Sequence, residues 1–331
     1  MDVGRDAGAV LDKLTQRLAE LSGVWNIVPT PFHPDEELDL DSLRTLTDFV
    51  VGHGVDGMTI LGVLGEGAKL SDSERAQVIE VVLDEAAGRM PVCVTVSAAS
   101  THRAEAFARE ARAAGAHSVM LSAPPLSRPN DEAVRRHYLR VAEAVPDMPV
   151  VIQDLPTLGV WMTADLIGGM AAEAENLRVV KLEEEPTAPK VGRLLAANPR
   201  LRVLGGLGGE MLIEELRRGA VGTMTGFGFP ETLVAIIRDW RAGNEEAAVA
   251  RFHEWTPLIR FENQQLLNLP IRKHIYMRRG AMASDKVRAP GPALDDRTKA
   301  DLEDLLARLG VHLGGEPPPP LPDLAVARQD K

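Results

Sequence analysis

The sequence predicts an α/β fold, a closed (β/α)8 barrel of the TIM type with an extra N-terminal helix and a C-terminal helical layer. Three observations carry this. Short apolar, β-rich runs alternate with helix-period segments eight times between residues 23 and 242. Strict strand-then-helix alternation requires parallel strands joined by right-handed crossovers. Eight such units in a chain of 331 residues fit a closed barrel better than an open sheet.

Each element has a local reason. Residues 1–22 form an N-terminal extension in which 12–21 read as a short amphipathic helix. Residues 23–29 are a β-like run closed by Pro29-Thr30-Pro31. Apolar spacing over 41–51 predicts a helix, with Asp41 or Ser42 as its N-cap. The run 55–61 is the second strand, followed by the glycine-punctuated loop Gly62-Val63-Leu64-Gly65-Glu66-Gly67. Ser71-Asp72-Ser73-Glu74 has the form of a capping box opening a helix to about Gly88. Strands follow at 91–96, 118–121, 149–153, 177–182, 201–204 and 220–225. The intervening helices are expected at 102–114, 131–144, 163–172, 189–197, 210–218 and 231–241. Residues 243–312 are helical in pattern and form a second layer, and 313–331 form a proline-rich tail without periodicity.

Composition removes several classes of function. A net charge of −11 argues against a nucleic-acid surface. No run of eighteen apolar residues suggests a membrane span, and no basic-then-apolar leader is evident. The single cysteine, Cys93, excludes an intrachain disulfide and a cysteine-based zinc cluster, and its apolar neighbours predict a buried small hydrophobe. The histidines, His53, His102, His117 and His137 among them, form no metal-binding pattern and read as helix-flank or surface positions. The expectation is a cytoplasmic protein without a metal.

The chemistry centres on Lys181. Val179 and Val180 lead into it, and Glu183-Glu184-Glu185-Pro186 follow, so the lysine ends a buried strand. Burial disfavours a charged amine, which lowers its pKa and makes it nucleophilic. The alternative is a lysine tied to the neighbouring glutamates. In a barrel of this kind the loops at the strands' C-terminal ends build the site, and the glycine clusters 62–67 and 205–209 fall at that end with Lys181. Gly205-Gly206-Leu207-Gly208-Gly209 lacks the lysine and spacing of a nucleotide fingerprint and reads as a tight turn of the mouth.

From about Gly23 to about Leu309 the chain resembles the dihydrodipicolinate synthase / N-acetylneuraminate lyase family of Schiff-base aldolases. The marks are Pro29-Thr30-Pro31-Phe32, Gly62-x-x-Gly65-Glu66 followed by Leu70-Ser71, Asp154-Leu155-Pro156, Lys181, and Gly205-Gly206. The resemblance implies a (β/α)8 barrel that assembles as a homo-oligomer, a dimer or tetramer. It implies a covalent imine between Lys181 and pyruvate or another 2-keto acid, with no cofactor. It also implies that Gly62, Val63, Leu64 and Gly65 hold the keto-acid carboxylate through backbone N–H groups, with Glu66 beside them.

The departures are specific. The loop carries Val63 and Leu64 where the family has two threonines, and Gln153 where it has a catalytic tyrosine. Pro125 and Leu126 replace a tyrosine pair, and Thr157 and Leu158 stand where synthases place an arginine. The two tyrosines, Tyr138 and Tyr276, lie in helical regions away from these loops. Glutamine cannot shuttle protons, so Gln153 would position and a carboxylate would carry them. Asp154, Glu66 and Glu183 are the candidates, and side-chain alternation places Glu183 on the face of Lys181. Against each stands a plainer reading: capping for Asp154, structure for Glu66, a solvated loop charge for Glu183. Leu126, Gly205, Gly206 and Met224 complete the candidate substrate-binding positions, and Thr223 and Thr225 are further strand residues that could line the barrel.

Three functions follow as expectations. The first is a lysine Schiff-base lyase or aldolase acting on pyruvate or another 2-keto acid and not using aspartate semialdehyde, with dehydration by the same imine close behind. The second is a barrel that binds a small molecule without turnover. The third, a metal-dependent aldolase using Asp154 and Glu183, lacks histidines placed to assist.

Overall fold

The computed structural model describes residues 3–126, 130–156, 159–311 and 313. Helix α1 (Val3–Glu20) leads into β1 (Gly23–Ile27), α2 (Leu40–Gly52), β2 (Gly57–Ile60), α3 (Asp72–Ala86) and β3 (Val92–Thr95). Then come α4 (Thr101–Ala113), β4 (Ser118–Ser122), α5 (Asp131–Ala144), β5 (Val150–Asp154), α6 (Ala164–Glu173) and β6 (Val179–Leu182). The barrel ends with α7 (Thr187–Ala197), β7 (Arg202–Gly205), α8 (Leu212–Leu216), β8 (Gly222–Thr225) and α9 (Pro230–Arg241). Helices α10 (Glu245–Glu262), α11 (Asn268–Arg278) and α12 (Asp296–Arg308) form the C-terminal layer. The proline-rich tail lies outside the described residues apart from Leu313.

The eight strands run in sequence order around a closed sheet, every pair parallel. Alternation divides their side chains cleanly. Val24, Met58, Ile60, Val94, Leu121, Ile152, Val180 and Leu182 face the helices. Trp25, Ile27, Cys93, Met120, Val151, Val179, Leu204 and Met224 fill the lumen. The strand register stacks the lumen in layers drawn from alternate strands: Trp25, Cys93, Val151 and Leu204, then Thr59, Met120, Lys181 and Met224, then Ile27, Thr95 and Gln153 with Gly206. The lowest of these layers is apolar, and the upper two add Thr59, Lys181, Thr95 and Gln153, so polar groups enter the lumen toward the mouth. Cys93 is buried as expected, and desolvation pushes its thiol up to about 12.

Helix α1 is longer than the expected 12–21 and closes the barrel's other end. Its Leu14 and Leu18, with Leu21 just past its end, pack onto the lumen cluster with Trp25. Arg202 at the start of β7 donates to the carbonyls of Ala19 and Leu21 at 3.0 and 3.4 Å. Fully burying a leucine contributes ~1.5–3 kcal/mol, so these leucines are a substantial anchor.

Two local expectations are corrected. The cap of α2 is Asp39, whose buried Oδ1 accepts the Ser42 N–H at 2.9 Å, which leaves the Ser42 hydroxyl to accept from Ala283. His137 is buried against Thr101 at 2.9 Å, where desolvation holds it down at about 4. The Ser71/Glu74 capping box is present in full. Among the described residues no helix is long and apolar enough to cross a membrane, and no group of three metal-ligating side chains is placed to hold an ion.

Candidate active site

Lys181 is the third residue of β6 and faces the lumen, in register with Gln153 of β5 and Leu204 of β7. It is only 5% exposed. Its Nζ lies 3.2 Å from Glu183 Oε1, and Gln153 Nε2 donates to Glu183 Oε2 at 2.7 Å. One carboxylate therefore bridges the amine and the amide. Glu183 follows β6 on the same face as Lys181, and its N–H donates to the Asp154 carbonyl, which continues the strand register one residue past the sheet. It also depends on Gly206: a Cβ there would come within 2.4 Å of Glu183 Cγ. A larger residue would push the carboxylate from its place between Lys181 and Gln153.

The acidic run after Lys181 is thus divided rather than uniformly solvated. Glu183 turns into the mouth, Glu184 pairs with Lys190 at 2.7 Å, and Glu185 is exposed. Lys190, which the sequence did not single out, also pairs with Asp154 at 2.6 Å and donates to the Met162 carbonyl. Asp154 alternates with Gln153 and therefore lies on the helix side of the sheet, completely buried. Burial pushes its carboxyl up to about 6 even with Lys190 opposing. Neither the capping role nor a place in the mouth holds for Asp154. It anchors α7 to β5, and it cannot share an ion with Glu183 across the sheet.

The loop after β2 is tied down by close contacts. Gly67 N–H donates to the Gly62 carbonyl, Thr30 Oγ1 donates to the Gly65 carbonyl at 2.6 Å, and a Cβ on Gly67 would stand 2.1 Å from the Leu61 carbonyl oxygen. Leu64 packs against the lumen cluster, whereas Val63 is 63% exposed, so only one of the two apolar replacements makes the interior more apolar. Glu66 does not face the mouth. It sits at φ 53°, and its carboxylate takes Lys273 Nζ at 2.6 Å, Lys69 Nζ at 2.7 Å and the Arg288 N–H at 3.0 Å. The loop is thereby clamped to α11 and to the segment after it. Burial lowers Lys273 to about 8 despite this partner.

The remaining positions fall on both sides of the barrel wall. Met224 lines the lumen in the layer of Lys181, and by alternation Thr223 and Thr225 face outward, donating to the carbonyls of Gly205 and Gly206. Gly205 also faces outward: a Cβ there would stand 1.8 Å from Glu215 Oε2. Leu126 packs with the sheet–helix core. Thr157 and Leu158 lie outside the described residues. Both tyrosines belong to the sheet–helix core, but they are not remote from the strands. Tyr138 donates to the Leu121 carbonyl at 3.2 Å, and Tyr276 donates to the Phe227 carbonyl at 3.1 Å while accepting from Asn26. Sequence reasoning missed Thr95, a lumen hydroxyl at the level of Gln153. Its signal was the shared face with Cys93 in Val92-Cys93-Val94-Thr95-Val96.

With this geometry fixed, comparison with known proteins is specific. The dihydrodipicolinate synthetase family model matches residues 20–309. L-2-keto-3-deoxyarabonate dehydratase of Azospirillum brasilense is 34% identical over 293 residues, covering 87% of this chain and 94% of that protein. A 4-hydroxy-tetrahydrodipicolinate synthase of Methanothrix thermoacetophila is 29% identical, covering 88% of this chain and 98% of its own. The crystal structure of dihydrodipicolinate synthase from Rhodopseudomonas palustris superposes with a TM-score of 0.82 at 36% identity, over 87% of this chain and 98% of that one. An eight-stranded parallel barrel, a lysine at the end of β6 and a match over nearly the whole folded chain agree: this protein belongs to the dihydrodipicolinate synthetase family of lyases.

Proposed function

We propose that Lys181 forms a covalent imine with the keto carbon of a 2-keto acid, without a cofactor, and that the reaction is dehydration of a 2-keto-3-deoxy acid. The carrying observation is the bridge of Glu183 between Lys181 Nζ and Gln153 Nε2, at 3.2 and 2.7 Å. The amine adds to C2 and water leaves, giving an iminium. Glu183 carboxylate takes a proton from C3, and the C–H electron pair moves into the iminium as an enamine. The enamine then expels the C4 hydroxyl, which leaves as water with the proton held by Glu183. Hydrolysis of the conjugated imine returns Lys181. Gln153 holds Glu183 in reach and moves no proton itself.

One carboxylate beside the imine suffices for this sequence, because the same group removes the C3 proton and protonates the leaving hydroxyl. The 34% identity to a 2-keto-3-deoxy acid dehydratase supports it. Carbon–carbon bond formation between a 2-keto acid and an aldehyde is the second reading, favoured by the match to synthases. We further propose that the protein is a homo-oligomer whose catalytic unit is the barrel spanning 23–242.

Borohydride with pyruvate or a 2-keto-3-deoxy acid should add a mass tag at Lys181, and the latter acid should lose water on turnover. Glu183→Gln should retain the tag and lose roughly 10²–10⁴-fold in kcat. No adduct with any 2-keto acid defeats the reading. Turnover only with pyruvate plus an aldehyde replaces it with the second.

A further inference from the structure

We propose that the Thr95 hydroxyl binds the carboxylate of the 2-keto acid as its side-chain donor, which neither Val63 nor Leu64 can supply; the assignment rests on the Schiff-base reading. A carboxylate brought into a buried mouth needs donors for several lone pairs. The loop after β2 offers backbone N–H groups, but Val63 and Leu64 have no side-chain donor. Thr95 has one. Its Oγ1 is buried and has no hydrogen-bond partner among the described residues. A buried hydroxyl left unsatisfied is unfavourable, so its place in the mouth points to a ligand.

Position decides which ligand. Thr95 pairs with Met120 of β4, so its side chain faces the lumen, in the layer of Ile27 and Gln153 directly above Lys181. Lys181 and Thr95 stand on β6 and β3, across the lumen from each other. A Cβ built on Gly62 would lie 3.4 Å from Thr95 Oγ1 and 3.6 Å from Met120 Cε, so the hydroxyl borders the space that glycine leaves open. A 2-keto acid joined to Lys181 through C2 carries its carboxylate on the adjacent carbon, inside the lumen that Lys181 and Thr95 both face. Thr59 and Ser118 also bear buried hydroxyls without oxygen or nitrogen partners, but both lie against the Cys93 thiol, deeper in the barrel. Thr95 alone of the three stands at the mouth. Its main chain is fixed by the Arg75 guanidinium, which donates to the Thr95 carbonyl at 2.8 Å, and its β-branched side chain has few rotamers.

The test compares wild type, Thr95→Val and Thr95→Ser by borohydride trapping at Lys181 across pyruvate concentrations. Thr95→Val should raise the concentration for half-maximal trapping roughly tenfold or more, with an unchanged or higher melting temperature without ligand. Thr95→Ser should return it to within about threefold of wild type, since serine restores the donor. With methyl pyruvate, which lacks the carboxylate charge, wild type and Thr95→Val should differ by less than about threefold, because hydrogen bonds to charged groups are the stronger ones. Equal pyruvate trapping by wild type and Thr95→Val overturns the assignment of Thr95 alone. An equal penalty with methyl pyruvate overturns it too, in favour of a packing role. Absence of any wild-type adduct overturns the Schiff-base reading and this assignment together.

Discussion

A single missing Cβ decides whether Glu183 can lie beside Lys181. Glu183 lies where Gly206 leaves room for it, and Gly206 Cβ would stand 2.4 Å from Glu183 Cγ. Gly206→Ala should therefore displace the carboxylate from Lys181 and Gln153. We expect turnover to fall by at least tenfold while trapping of pyruvate persists, at a stability cost of about 1–3 kcal/mol for overpacking. Steady-state kinetics with borohydride trapping, alongside a urea midpoint, separate the two effects. Residue-scale inference from the sequence succeeded where parity alone was needed: Glu183 shares a face with Lys181 because it is two residues on. It failed for Asp154, because the adjacent residue on a strand faces the opposite way and its partner, Lys190, comes from α7, beyond the next strand. For Glu66 it offered the structural role the fold bears out but could not name the partners, because two of the three come from the C-terminal layer, 207 and 222 positions away. Thr95 went unnoticed because one threonine in an apolar strand is unremarkable until the register sets it above Lys181.

At the scale of elements, strand and helix order was legible because β-period and helix-period runs alternate without interruption. Boundaries moved by a few residues. The contraction of α8 to Leu212–Leu216 follows from Gly208 and Gly209, both at positive φ, which keep the chain in a turn after β7. What could not be read was how the elements are tied. Glu66 is the tie between the loop after β2 and the C-terminal layer. Lys273 is 0% exposed, stacks over Phe32 at 4.6 Å, and has Glu66 as its carboxylate partner. Glu66→Gln should cost about 3–5 kcal/mol by leaving that amine without a counter-charge. Glu66→Gln with Lys273→Met should recover a large part of the loss, read as a return of the urea midpoint.

The whole molecule carries a buried acid that makes its stability depend on pH. Glu215 of α8 is buried beside Gly205, and desolvation pushes its carboxyl up to about 7, with the Thr187 hydroxyl opposing. A carboxyl raised on folding binds its proton more tightly in the folded state. Its contribution is complete below the unfolded value near 4.5 and is lost as pH rises through about 7. Glu215→Gln should therefore flatten the stability profile between those limits, by at most about 3 kcal/mol across the window. Urea midpoints of both proteins at pH 5 and pH 8 check this, and parallel profiles would contradict it.

Helix α1 gives the barrel a floor. With Leu14, Leu18 and Leu21 set against Trp25 beneath the lysine, the lumen is a blind well rather than a tunnel. In the proposed reaction, substrate, product and the water that frees Lys181 would all use the mouth, in turn. Exchange there is then sequential by construction, so an obstruction placed at the rim would slow arrival and departure alike.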